Sequence, residues 1–121
     1  MIDMLNIRPE EPEDYLAIRE LLTDSFDRDV EAKLVDQIRT ACPDVFSLVA
    51  CNDDDLLGYI MLSPAHIEKK SEIIHGVGLA PVAIHSDFQS QGIGTTLIQT
   101  ALAMLNPDHQ FVLVLGEPGY Y

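Results

Sequence analysis

The chain has 121 residues, of which 47% are hydrophobic and 22% charged, and its 20 acidic against 7 basic residues give a net charge of −13. This composition is typical of one globular domain, spanning residues 1–121, and the excess of carboxylates argues against a nucleic-acid partner. The longest apolar runs are shorter than the ~18 residues of a membrane span, and the N-terminus lacks the pattern of a secretory signal. Two cysteines, Cys42 and Cys51, do not make a disulfide framework. We therefore expect a cytoplasmic domain without membrane contact.

The first half of the chain predicts a strand followed by two helices. The strand covers residues 5–8, and the first helix covers about residues 13–25 because apolar residues recur at helical spacing. The second helix begins at Asp29 or Val30 and ends before Pro43. The predicted buried faces are Tyr15, Ile18, Leu21 and Leu22 on the first helix, and Val30, Leu34, Val35 and Ile38 on the second.

Two β-rich runs, residues 45–50 and 56–62, predict an antiparallel hairpin. Its acidic tip lacks the closing Glu of a calcium loop, so a solvated turn is expected and no metal. Ser63-Pro64 is expected to end the second strand. Residues 73–84 read as another strand, in which Pro81 implies a bulge or an edge.

The last part of the chain predicts a third helix and a short strand. The helix runs from Gly92 to about Leu105, with Ile93, Leu97, Ala101 and Leu105 on one face. Residues 111–115 form a continuous apolar run, which is typical of a buried central strand. The predicted order is β-α-α-β-β-β-α-β, an α/β fold with a mixed sheet flanked by helices.

A polar turn with two glycines, Gly92 and Gly94, joins the strand ending at Ile84 to the third helix. Backbone N–H groups at a helix start lack intrahelical partners and together bind phosphate-like anions. All seven basic residues precede residue 71, so amides and the helix dipole would hold such an anion. No lysine lies near, which excludes a P-loop, and Gly76-Val-Gly78 does not precede a helix as a dinucleotide fingerprint would.

The pattern Gln89-x-x-Gly92-x-Gly94 after an apolar strand resembles motif A of the GNAT superfamily of acyl-CoA-dependent N-acyltransferases. The segments at residues 7–10, 58–64, 78–84 and 112–121 resemble the same family, so the likeness covers nearly the whole chain. It implies a GNAT-like, mixed but mostly antiparallel sheet. The family usually continues with a further helix and two strands, so the domain is expected to be C-terminally short, with an open edge on its last strand.

The resemblance also implies which residues would bind the co-substrate and which would act in catalysis. Acetyl-CoA would be the co-substrate, with no metal, and Tyr121 would lie near the sulfur and protonate it as the thiolate leaves. Main-chain groups of one strand would pair with the pantetheine arm, and N–H groups of the turn would hold the diphosphate. These groups belong to Val82, Ala83 and Ile84 for the arm, and to Gln89, Ser90, Gln91, Gly92, Ile93 and Gly94, with Thr95 adjoining, for the diphosphate.

The reaction implied is direct attack of an amine on the thioester carbonyl, polarised by an N–H near residue 83 or 84. His66, His75, His85, Glu72 or a water chain could act as base, and the sequence does not choose among them. The acceptor amine, a small molecule or a peptide, is also left open. The alternatives are a non-catalytic acyl-CoA-binding module, or an incomplete domain that associates as a homodimer to cover its open edge.

Overall fold

A computed structural model describes residues 5–105 and 108–114. Within them lie five strands and three α-helices in the predicted order. Their bounds are β1 Leu5–Pro9, α1 Tyr15–Phe26, α2 Val30–Ala41, β2 Phe46–Asn52, β3 Asp55–Lys69, β4 Glu72–Ile84, α3 Ile93–Ala103 and β5 Val112–Val114. Single turns of 3-10 helix cover Pro12–Asp14 and Ser86–Phe88.

The five strands form one sheet in the order β1-β2-β3-β4-β5. All neighbours are antiparallel except β4 and β5, which are parallel and are joined through α3. The mixed, mostly antiparallel α/β fold is therefore confirmed. In the part of the chain that is described, no helix is long and apolar enough to cross a membrane.

Two hydrophobic clusters cover the two faces of the sheet, because successive side chains of a strand point to opposite faces. Leu97 and Ala101 of α3 pack with Ile60, Leu79 and Ile84 of the sheet. On the other face, the helices α1 and α2 contribute Ile18, Leu22 and Val35, which pack with Tyr59 and Met61. The predicted inner faces of α1 and α3 are confirmed at six positions that are buried, Ile18, Leu21, Leu22, Ile93, Leu97 and Ala101. The prediction is wrong for Tyr15, which is 39% exposed.

The predicted inner face of α2 is partly wrong. Val30 and Leu34 are 54% and 44% exposed, whereas Ala32 and Val35 are buried together with Glu31. The Glu31 carboxylate can lie inside because the Arg28 guanidinium bonds both of its oxygens, at 2.6 and 3.0 Å. A paired charge therefore takes a place that the apolar pattern assigned to leucine and valine.

The prediction that Ser63-Pro64 ends the third strand is also wrong, because β3 continues to Lys69. Pro64 lies opposite Val77, whose N–H donates to the Phe111 carbonyl, 3.1 Å away on the other side of β4. Pro64 and Val77 thus form a pair that exchanges no hydrogen bonds with each other. The pairing of β3 with β4 therefore does not require the N–H that proline lacks. The first β2 residue, Phe46, pairs with Leu62, so none of the described strands meets the other edge of Pro64.

Residues 111–115 were expected to form a buried central strand, and here too the structure differs. Among the described residues β5 has β4 as its one neighbour, and Leu113 and Val114 are 50% and 40% exposed. Within the described residues, β5 therefore has the open edge that the resemblance implies for the last strand, and its apolar run is not buried. Tyr121 lies outside the described residues.

Candidate acyl-CoA site

A β-bulge divides β4 into two halves with different surroundings. Leu62 pairs with Leu79 and Ile60 pairs with Val82, so two β4 residues, Ala80 and Pro81, lie opposite one β3 residue. The predicted irregularity at Pro81 is thus confirmed. The extra residue changes which peptide groups face each neighbouring strand.

Before the bulge, β4 is bonded on both sides. It pairs with β3, while Val77, Gly78 and Leu79 pair with β5. The described pairing with β5 ends at Leu79 and Val114. Within residues 5–105 and 108–114, the second half of β4 therefore has a strand on one side alone.

The outer edge of that second half carries the peptide groups of Val82 and Ile84. The His85 N–H donates to the Leu57 carbonyl at 2.7 Å, which makes this pair and the Tyr59–Ala83 pair hydrogen-bonded ones. Ala83 therefore directs its N–H and C=O toward β3, and the geometry does not support the expected contact of Ala83 with a ligand. Val82 and Ile84 direct theirs outward, as an added strand requires.

The N-terminus of α3 follows after eight residues. Gly92 is its N-cap in the left-handed region at φ 86°, and no side chain caps the helix. The first turn, Ile93, Gly94 and Thr95, contains no acidic residue, and Ile93 and Gly94 are buried while Thr95 is exposed. A Cβ built on Gly92 would meet no protein atom within 4 Å. Among the described residues no side chain caps this start, so its first N–H groups lack helical partners and the positive end of the dipole lies beside the uncovered Gly92.

The loop between β4 and α3 is held by local contacts. The His85 ring accepts a hydrogen bond from the Asp87 N–H at 3.1 Å and meets the Phe88 ring edge-on at 5.4 Å. Ser90 also lies in the left-handed region, at φ 65°, a conformation that favours glycine. These turns bring residues 89–95 to the same corner of the domain as the open edge of β4.

Two side chains reach the outward carbonyl of Ile84. The Gln89 Nε2 donates to it at 3.3 Å, and the Ser25 Oγ at the end of α1 donates to it at 3.5 Å. Ser25 carries no motif and was not singled out in the sequence, because its place beside β4 depends on how α1 crosses the sheet. Gln89 was expected to act through its N–H, and its side chain adds a second role.

A cavity of about 320 Å³ adjoins this corner between α1, the β2–β3 turn and His85. Four carboxylates line it and form no ion pair with a described basic residue; they belong to Glu20, Asp24, Asp54 and Asp55. In the described part of the chain, no three His, Cys, Asp or Glu residues are placed to hold a metal. The cavity favours cations over anions by charge alone.

The basic side chains are either paired with carboxylates or far from the start of α3. Five of the seven form ion pairs around α1 and α2, namely Arg8, Arg19, Arg28, Lys33 and Arg39. Lys69 and Lys70 lie at the turn between β3 and β4, roughly 40 Å along the strand from Ile84. An anion at the start of α3 would therefore be bound mainly by peptide N–H groups.

The shifted pKa values belong to structural groups. Hydrogen bonds from the Arg8 guanidinium hold the pKa of Asp14 below its usual value, and burial raises the pKa of the Cys51 thiol. Burial also raises the pKa of Tyr59, whose hydroxyl lies 2.8 Å from the Ser47 hydroxyl in the core. Cys51 is therefore not a reactive thiolate.

The four side chains proposed as general bases lie at different distances from the open edge of β4. His66 and His75 face each other across the β3–β4 ribbon, and Glu72 lies at its far end. His75 is nine residues before Ile84, roughly 30 Å along the strand. His85 alone of these side chains borders the open edge.

Residues 15–113 match the model of the family described as the Acetyltransferase (GNAT) family. The chain belongs to the GNAT family. This GNAT domain is 36% identical over 117 residues to the uncharacterized N-acetyltransferase YhbS of Escherichia coli K12, covering 95% of the chain and 69% of that relative.

Two solved structures are similar to this chain in fold as well as in sequence. A GNAT family acetyltransferase from Brucella melitensis, in complex with acetyl-CoA, has a TM-score of 0.82 and 34% identity over 97% of this GNAT chain and 79% of that one. YhbS from Escherichia coli in complex with CoA has a TM-score of 0.80 and 34% identity, covering 95% of this chain and 64% of that one. The acyl-CoA-dependent acetyltransferase family suggested by the motif is therefore confirmed.

Proposed function

We propose that this protein is an N-acetyltransferase that transfers an acetyl group from acetyl-CoA to an amine. The observation that carries the proposal is the corner where the open edge of β4 meets the uncapped start of α3. Support also comes from the two relatives, 34% identical, that are described in complex with acetyl-CoA and CoA.

The diphosphate of the cofactor would bind the N–H groups of residues 89–95. Gly92 gives this turn a conformation that other residues rarely adopt, and its missing side chain leaves the main chain open to a ligand. Each charge-assisted hydrogen bond contributes roughly 1.5–3 kcal/mol, and the helix dipole adds about 0.3–1 kcal/mol. These local terms exceed the repulsion from distant carboxylates, which salt screens beyond about 8 Å.

The pantetheine arm would lie along β4 as an added strand. Its two amides match the outward N–H and C=O groups of Val82 and Ile84, which lie on one edge of the sheet. The arm would then run from the start of α3 toward the point where β4 and β5 separate.

Bound acetyl-CoA supplies the acyl group as a reactive thioester. The chain would orient it, and one outward N–H of Val82 or Ile84 would polarise the acyl carbonyl. Tyr121 remains a proposed proton donor to the sulfur. The amine must arrive neutral, with His85 or a water chain to accept its proton.

A calorimetric titration with CoA and acetyl-CoA, followed by a thiol-release screen, tests the function. Amines of different charge, including polyamines, amino acids and peptide N-termini, should be screened, the cationic ones first because of the acidic cavity. Binding together with amine-dependent release of CoA is the expected result. Binding without thiol release would favour the alternative, a non-catalytic acyl-CoA-binding module, and absence of CoA binding would overturn both.

A further inference from the structure

The carbonyl oxygen of Ile84 is occupied although it lies on the open edge of β4. A peptide carbonyl has two lone pairs, and here two side chains donate to them. These are Gln89 from the loop before α3 and Ser25 from the end of α1. A further donor must displace one of the two.

Both contacts are long. The Gln89 contact of 3.3 Å exceeds the usual N–H···O length of about 2.9–3.0 Å, and the Ser25 contact of 3.5 Å exceeds the usual O–H···O length of about 2.7–2.8 Å. Each bond is therefore weak and easily exchanged. Gln89 lies on a loop five residues from Ile84, whereas Ser25 is fixed by its helix. The amide of Gln89 is therefore the group that can leave.

From this geometry we infer that Gln89 is a latch, which closes the Ile84 carbonyl in the free protein and is displaced by an amide N–H of the pantetheine arm. The inference rests on the proposed function, because the arm is the group that needs this acceptor. Gln89 is thus a positioning residue that regulates access to the edge of β4, in addition to the N–H that it offers to the diphosphate.

The latch has a measurable consequence. A ligand that carries the arm without the diphosphate gains nothing from the start of α3, but it must still displace Gln89. Removing the side chain should therefore strengthen binding of such a ligand, whereas loss of an ordinary contact residue weakens binding. A net hydrogen bond of about 0.5–1.5 kcal/mol corresponds to a roughly two- to tenfold change in Kd.

The test is an NMR titration of the full chain with S-acetylpantetheine, using Gln89→Ala, Ser25→Ala and the matched control Gln99→Ala, an exposed glutamine of α3. Gln89→Ala should lower the Kd about two- to tenfold, Ser25→Ala should lower it less, and Gln99→Ala should leave it unchanged. Ser25 is on another element, so improvement in both variants cannot come from a disturbed loop. In the wild type, the Gln89 side-chain NH₂ resonances should shift when the ligand binds.

A parallel CoA titration of the wild type distinguishes failure of the latch from failure of the proposed function. If CoA binds but Gln89→Ala leaves the Kd for S-acetylpantetheine unchanged or raises it, the latch is overturned and the proposed function stands. If the wild type does not bind CoA, the proposed function fails and the latch fails with it.

Discussion

The two halves of β4 differ in what meets their outer edge. The first half is packed so closely against the segment before β5 that a Cβ on Gly76 would lie 2.5 Å from the Phe111 carbonyl oxygen. The second half presents the peptide groups of Val82 and Ile84 to no strand within the described residues. One strand is thus enclosed by protein along one half and, among the described residues, has an unpaired outer edge along the other.

This contrast teaches that stability and cofactor affinity should respond separately to changes in the two halves. The first half is sensitive to volume, since its neighbours are protein atoms. The second half and the start of α3 are sensitive to anything that covers the main chain, since their neighbour would be the ligand.

The largest expected effect comes from Gly76→Ala. Its added methyl group would overlap the Phe111 carbonyl and ring, at 2.5 and 2.6 Å, so the free energy of unfolding should fall by about 2–3 kcal/mol. Urea denaturation measures the change. Gly78→Ala is the matched control, because its nearest atom is the Ser63 oxygen at 3.8 Å. Equal losses in the two variants would contradict the close packing.

The next effect is on binding. Gly92→Ala should raise the Kd for CoA about tenfold, because the methyl group would stand where the ligand approaches the main chain. Its left-handed backbone should also cost about 1 kcal/mol of stability. Calorimetry should be done well below the unfolding temperature, with Gly78→Ala again as the control. An unchanged Kd for Gly92→Ala would place the diphosphate elsewhere.

A change remote from β4 tests whether lost stability alone weakens binding. Arg8 bonds both oxygens of Asp14, at 2.7 and 2.9 Å, so Asp14→Asn should cost about 1 kcal/mol of stability at pH 7 and leave the Kd for CoA unchanged. Thermal unfolding and calorimetry measure the two quantities.

The stability lost in the Asp14→Asn variant should depend on pH in a defined direction. Hydrogen bonds from Arg8 lower the pKa of Asp14 from 3.8 in the folded state, so its contribution is present above about pH 4 and is lost as the pH falls through the lowered value. The difference in stability between wild type and variant should therefore shrink as the pH falls below about 4. A gap of the same size at pH 7 and pH 2 would rule out the ion pair as its source.

The smallest effect concerns salt. If peptide N–H groups rather than cations hold the diphosphate, the Kd for CoA should change less than about twofold between 50 and 300 mM NaCl, or even fall as salt screens the net charge of −13. Calorimetry at several salt concentrations measures this. A steep loss of affinity would reveal a basic side chain at the site.

The sequence predicted the elements and the glycine turn before α3 because these depend on local patterns. The spacing of Ile93, Leu97 and Ala101 and the glycine at the start of α3 are properties of a few neighbouring residues. Pro64 was misread because its effect depends on whether the opposing residue needs its N–H, which is set by the partner strand. Val30 and Leu34 were misplaced because α2 packs Ala32 and Val35 into the core, with Glu31 buried beside them.

The outward direction of the Ile84 carbonyl could not be read from sequence either. It follows from the register of β3 against β4 and from the bulge at residues 80–81. Pro81 signalled that an irregularity would occur, but not which peptide groups it would turn outward.

The bulge also means that β4 contains one residue more than its pairing with β3 requires. Deleting Ala80 would restore regular alternation, with residues 79, 81 and 82 opposite residues 62, 61 and 60, so that Val82 and Ile84 would keep their peptide groups on the outer edge. The side chains of Leu79, Val82 and Ile84 would also stay in the layer that packs against α3. The loss of one codon at this point would thus shorten the strand and leave the proposed hydrogen-bonding partners of the ligand on the same side.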